Sequence, residues 1–342
     1  MCIPKSKDIS ISIEDLAIGY RTKGVSKVVA CNIRAQLGRG EMTCLIGSNG
    51  AGKSTLLRTL SAFQPPLKGH IYIKGKDIRS YSIRDLSHTI SVVMTERCEA
   101  HNLTVTEVVE LGRSPYTGFW GTLSQTDNQA VCQAMCKTGI IPLANRMLHT
   151  LSDGENQKVM IAKALAQETS IILLDEPTAF LDFSSKVELM SLLRKLAHEN
   201  GKTIFLSTHD LNLAIEIADK IWIMNDKKEQ GVTIGTPEDL ILNGSLPHLY
   251  EKSNIVFDET AGIFHVKYPF LYSVGLKGEG VYHAMMKKAL ERNGIRAVKS
   301  GTKYYIEALE GIYRLMSNGV PVATSLTVEE MLCRIQSLKP LL

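Results

Sequence analysis

Alternation of apolar and polar residues marks Ile9 to Ile13 and Val28 to Ile33 as half-buried strands, whereas Met42 to Ile46 is apolar enough to predict a buried strand. That run ends at a glycine-rich turn, after which Ser54 to Phe63 takes helical character. Strand, glycine loop and helix follow in the order of a nucleotide-binding α/β unit. Two more short apolar runs, Ile171 to Leu174 and Thr203 to Ser207, flank the helical stretch Ser185 to Glu199 and read as neighbouring parallel strands.

Between these units, Glu107 to Ala166 is mostly helical, broken at Pro115 and Pro142, and looks like an inserted helical subdomain spanning roughly residues 96–166. Beyond Phe257 the pattern changes to strand, a Gly278-Glu279-Gly280 turn, a helix to Asn293, and short strands at Lys303 to Ile306 and Ile312 to Met316. A last helix, Val328 to Gln336, follows Thr327 as N-cap with Glu330 at the capping-box position. The expectation is an α/β protein with a large domain over residues 8–256 and a small α/β appendage over 257–342.

Composition narrows the function classes. With 44% hydrophobic and 22% charged residues, the chain is ordinary for a globular protein. A net charge of +4 over 342 residues gives no reason to expect nucleic acid as a partner. The seven cysteines are odd in number and scattered, which fits reduced thiols; Cys132 and Cys136 share a helix face but lack further metal ligands. No apolar run of about 18 residues occurs, so a role at a membrane requires docking onto a separate protein.

The chemistry concentrates in three strand ends. Gly47-Ser48-Asn49-Gly50-Ala51-Gly52-Lys53-Ser54 fits the phosphate-loop pattern, which arises by chance in about one chain of this length in a hundred. Its glycines turn backbone N–H groups toward phosphates, Lys53 reaches the β- and γ-phosphates, and Ser54 ligates Mg²⁺. Asp175 and Glu176 follow an apolar strand: Asp175 suits the Mg²⁺ shell, and Glu176 suits a general base acting on water. His209 ends the third strand, where its imidazole can donate to a γ-phosphate.

With Leu151-Ser152-Asp153-Gly154-Glu155 ahead of the second strand, the chain resembles the ATP-binding cassette (ABC) family over Ile9 to Leu249. The resemblance implies a P-loop cassette with N-terminal antiparallel strands, ATP and Mg²⁺ as ligands, and ATP hydrolysis. It places Tyr20 at the adenine-stacking position and Thr55 beside Ser54 in the phosphate loop. It also makes Asp182 part of a loop that crosses a dimer interface, and it implies a sandwich in which Ser152 and Gly154 reach the γ-phosphate held by a second copy.

Two positions depart from the family pattern. The signature reads LSDGE rather than LSGGQ, with Lys158 placed to pair with Glu155. The glutamine expected to touch the metal is Thr95, whose hydroxyl is too short to imitate the amide, leaving Glu96 or a water to take over.

The segment Leu111-Gly-Arg-Ser-Pro-Tyr-Thr-Gly-Phe-Trp-Gly resembles importers of metal chelates: iron siderophores, haem and cobalamin. That implies integral-membrane permease partners, an extracytoplasmic binding protein acting indirectly, and a peripheral position on the cytoplasmic face of the cell membrane. The alternatives are a soluble ABC ATPase unconnected with transport and a non-hydrolysing ATP-binding module. The retained Lys53, Asp175, Glu176 and His209 speak against the second.

Overall fold

The computed structural model describes residues 8–22, 25–95, 102–118, 121–225, 231–249, 255–258 and 263–337. Glu96, Phe119 and Trp120 fall outside the described residues. The chain divides into two compact units, residues 1–249 and 250–342.

The first unit opens with two long antiparallel strands, β1 (Ile9–Thr22) and β2 (Val25–Gly38), joined in one sheet by β4 (Lys68–Ile73) and β5 (Lys76–Asp77). They run well past the predicted segments because both strands go on placing residues in the core, Leu16 and Ile18 on β1 and Ala35 and Leu37 on β2, and their joined ends pair on as an exposed ribbon. The second sheet has the order β10-β9-β3-β8-β7-β6, with β3 (Met42–Ile46), β6 (Ile90–Val93), β7 (Ile171–Leu174), β8 (Thr203–Ser207), β9 (Lys220–Met224) and β10 (Val232–Gly235). All its pairings are parallel except β9 with β10.

A parallel sheet covered on both faces explains the unbroken apolar runs: successive side chains alternate between two cores. Cys44, Ile172, Leu174, Ile204 and Leu206 pack into one, while Leu45, Ile171, Leu173 and Phe205 enter the other with β1, β2 and helix α1 (Lys53–Leu60). Burial pushes the Cys44 thiol up to about 12, so it acts as an inert core group. No metal-holding cluster of His, Cys, Asp or Glu occurs among the described residues, and no helix among them is long and apolar enough to cross a membrane.

Helices α2 (Ile83–Ser87), α3 (Val105–Glu110), α4 (Gln125–Lys137) and α5 (Asp153–Ala166) lie between β5 and β7 in the chain. The Leu111–Tyr116 segment fixes α5 to the start of α4. Gly112 lies against α5 so closely that a Cβ would sit 2.2 Å from the Lys163 carbonyl oxygen. Arg113, only 4% exposed, donates to Asp127 at 2.8 Å and to the Ala166 carbonyl and Glu168 at 2.7 Å each. The Tyr116 ring lies 3.8 Å from its guanidinium. The motif that carried the importer resemblance therefore has a structural task in this chain. Helices α6 (Phe183–His198), α7 (Leu211–Ile217), α8 (Pro237–Leu242) and α9 (Ser245–His248) complete the unit.

The second unit holds a hairpin, β11 (Ile255–Asp258) with β12 (Ile263–Val266), and a five-stranded sheet. The order in that sheet is β14-β13-β15-β16-β17, from β13 (Tyr272–Lys277), β14 (Ile295–Val298), β15 (Tyr304–Leu309), β16 (Ile312–Ser317) and β17 (Val320–Ser325). Helices α10 (Gly280–Arg292) and α11 (Val328–Ser337) share its core through Met286, Leu290, Met331 and Ile335. The Glu330 N–H donates to the Thr327 hydroxyl at 3.2 Å, the cap expected there.

Candidate active site

Because β3, β7 and β8 are parallel neighbours, the loops after them open at one edge of the sheet, where ligands of such sheets bind. A cavity of about 390 Å³ lies there, lined by Tyr20, Asn49, Gly50, Gly52, Lys53, Ser54, Thr55, Glu176 and His209. Segments up to 189 residues apart in the chain, Tyr20 to His209, thus meet in one place.

The phosphate loop is wrapped around its own lysine. Lys53 Nζ donates to the carbonyls of Gly47 (2.9 Å) and Ser48 (3.1 Å), which leaves one of its three donors for a ligand. Burial pulls its ammonium below the ordinary lysine range, and the Glu176 and Asp175 carboxylates oppose that shift. Ala51 N–H closes the turn onto the Ser48 carbonyl at 3.2 Å. Gly52 sits at φ 107°, and a Cβ there would come within 2.5 Å of Val29 Cγ1. Gly52 also caps α1 without a side-chain bond, so N–H groups of the first turn remain for phosphate oxygens.

Asp175, 5% exposed, accepts from Ser54 Oγ at 3.2 Å and from Ser207 Oγ at 2.7 Å. The Glu176 N–H donates to the same Ser207 oxygen at 2.9 Å. Ser207 thus orients both acids, a role that sequence reading missed; the signal was a hydroxyl at the end of the strand adjacent to β7. Glu176 adopts φ 49°, a left-handed conformation that is rare outside glycine and tends to occur at functional sites. Its Oε1 lies 2.5 Å from His209 Nε2, an ion pair when the imidazole is protonated.

Tyr20 reaches the cavity from β1, its hydroxyl 2.7 Å from Thr55 Oγ1 and its ring 43% exposed, which keeps a flat face open. The antiparallel register pairs Tyr20 with Lys27 and Gly19 with Val28, so Lys27, Val28 and Val29 also line the cavity. These three were missed as site residues, although their place opposite Tyr20 follows from a hairpin.

Ser152, Gly154 and Asp182 do not line this cavity. They cluster at the N-termini of α5 and α6, where a Cβ on Gly154 would lie 3.2 Å from Ser185 Oγ and Asp182 accepts from the Ser185 N–H at 2.7 Å. The expected Lys158–Glu155 pair does not form. Glu155 folds back into a capping box, accepting the Ser152 N–H at 2.8 Å and hydroxyl at 3.0 Å, with Arg146 3.6 Å away. The bond from the Ser152 N–H holds the Glu155 carboxyl below its usual range. Lys158, one turn on, pairs with Glu188 at 2.8 Å. The Thr95 hydroxyl donates to the Asp175 backbone carbonyl at 2.8 Å, and Thr95 is not among the residues lining the cavity.

Comparison with known proteins decides the family. The ABC transporter family model matches residues 31–179, and a second model, described as an AAA domain, putative AbiEii toxin, Type IV TA system, matches the overlapping 144–216. An uncharacterized ABC transporter ATP-binding protein of Methanocaldococcus jannaschii is 40% identical over 75% of this chain and 87% of its own. The chain belongs to the ABC transporter ATP-binding family.

The ferric enterobactin transport ATP-binding protein of Escherichia coli is 36% identical over 72% of this chain and 89% of its own length. Among solved structures, a metal-chelate type ABC transporter in an inward-facing conformation matches with a TM-score of 0.62 at 27% identity, covering 75% of this chain and 96% of that one. The cassette's family is one of ATP-hydrolysing transporter subunits.

Proposed function

We propose that this chain hydrolyses ATP to drive import of an iron chelate through a separate membrane permease. In this reading it is peripheral at the cytoplasmic face, an extracytoplasmic binding protein delivers the chelate, and two copies share each nucleotide. The observation that carries the ATPase half is the single cavity uniting Tyr20, the phosphate loop, Glu176 and His209. Kinship with the enterobactin and metal-chelate systems supports the cargo.

The chemistry follows from the residues. The Tyr20 ring offers a face to the adenine, while Asn49 through Thr55 and the α1 N-terminus hold the phosphates. The pair Ser54 and Asp175, 3.2 Å apart, has the hard oxygen donors that suit Mg²⁺. When bound, that ion neutralises charge on the β- and γ-phosphate oxygens. Glu176 orients the attacking water and accepts its proton, and His209 holds the carboxylate until its Nε2–H turns to the γ-phosphate. Ser152 and Gly154, outside their own chain's cavity, serve the second copy's γ-phosphate once the Ser152 hydroxyl leaves Glu155. Phe180 (72% exposed) and Phe183 (77%), on either side of Asp182, supply apolar surface for that contact.

Glu176→Gln tests this. Reconstituted with its permease, the variant is expected to bind ATP normally, lose about 10²- to 10⁴-fold in turnover, and accumulate as an ATP-bound dimer in size-exclusion chromatography. Unchanged turnover with no dimer overturns the mechanism. Intact ATPase activity without uptake of ferric chelate into proteoliposomes overturns the cargo.

A further inference from the structure

The opposite, amino-terminal edge of the same sheet holds a second cavity, of about 310 Å³. Five separate turns and strands contribute to it: Ser10 from β1, Arg39 before β3, Lys74 after β4, Glu168 to Ser170 before β7, and Asn200 to Lys202 before β8. None of its residues belongs to the ATP site.

Its charge is unbalanced. Arg39, Lys74 and Lys202 all line the cavity, and the one acid in the lining, Glu168, is already held by Arg113 at 2.7 Å. Among the described residues, Arg39 pairs with the exposed Asp8 alone, at 4.0 Å. Neither Lys74 nor Lys202 has an ion-pair partner among the described residues. Lys202 donates to the Thr169 backbone carbonyl, a neutral partner. Burial, then the nearby Lys137 and Lys74, push the Lys202 ammonium below its ordinary range, with Glu168 opposing. Three cations gathered at one cavity without a free counter-charge repel one another.

Hydrogen bonding is incomplete at the same spot. The Ser170 hydroxyl is shielded from solvent and has no partner among the described residues. Shielded in this way, it is not within reach of a ligand in the cavity. Asn200 adds a neutral donor to the three cations. Arg39 adds a planar fork suited to oxyanions.

We propose that this cavity is a second anion site, which takes a small multivalent oxyanion with the chemistry of phosphate, either free or as a monoester. Such a ligand neutralises the cluster and ties together the turns that begin β3, β7 and β8. Those three strands deliver the phosphate loop, Asp175 and His209 at their other ends.

Because the ATP site also binds phosphate, the test uses the full chain in a Lys53→Ala background, titrated with inorganic phosphate by calorimetry and ³¹P NMR. The expected result is one remaining site of sub-millimolar to millimolar affinity. Adding Lys202→Gln is expected to weaken it at least tenfold, and Arg39→Gln or Lys74→Gln, both on the exposed rim, at least threefold each. With Lys53 intact, ATP binding by the three single variants stays within twofold of wild type, which shows that they are folded. Competition by glycerol phosphate at lower concentration than phosphate identifies a monoester as occupant; equal or weaker competition identifies the free anion. No phosphate binding in the Lys53→Ala protein, or binding untouched by the rim variants, overturns the proposal.

Discussion

The two edges of the parallel sheet collect charge in opposite ways. At the carboxyl edge, one lysine faces two acids, and serines bridge the groups, so the array is nearly balanced before any ligand arrives. At the amino edge, three cations share a cavity whose single acid is pinned by Arg113 from behind. The first edge is built for chemistry, which needs an acid–base pair at the reacting atoms. The second is rich in cations and has no free acid, which suits holding an anion and changing nothing in it.

Three substitutions sharpen the contrast. Arg113→Ala removes the anchor behind the amino edge and leaves Asp127 and Glu168 without their cation. A loss of about 3 kcal/mol is expected, read from urea denaturation midpoints. A change below about 1 kcal/mol would mean that this motif does not brace the helical subdomain. Ser207→Ala acts at the carboxyl edge alone, removing the hydrogen bond that orients Asp175. Turnover is expected to fall about 10- to 100-fold while the KM for ATP moves by less than about threefold. An equal shift in KM would reassign Ser207 to nucleotide binding. Tyr20→Phe, the mildest, keeps the ring and deletes the bond to Thr55. A two- to fivefold loss in nucleotide affinity, measured by fluorescent-ATP titration, is the expected limit. A far larger loss would show that the hydroxyl, not the aromatic face, binds.

The same contrast explains what could be read from the sequence. The carboxyl edge was legible because its groups sit in contiguous motifs that each end an apolar strand, and β3, β7 and β8 begin and end at the residues their apolar runs predicted. The amino edge was invisible. Its residues enter in short pieces from five turns and strands, and each lysine alone is an ordinary turn residue. Side-chain direction was likewise illegible. Glu155 lies within reach of both Lys158 and its own helix N-cap, and only the folded first turn shows that the cap wins. The bond from Thr95 to the Asp175 carbonyl depends on β6 and β7 being adjacent, which the Thr95 segment alone does not show. In the second unit, Pro321 and flanking polar residues concealed β17, which as an edge strand tolerates a proline.

The left-handed backbone at Glu176 carries a further consequence. An ordinary residue held at φ 49° costs about 1 kcal/mol relative to glycine. On the proposed mechanism, Glu176→Gly relieves that strain and removes the base together, so durability and turnover compete at a single backbone angle.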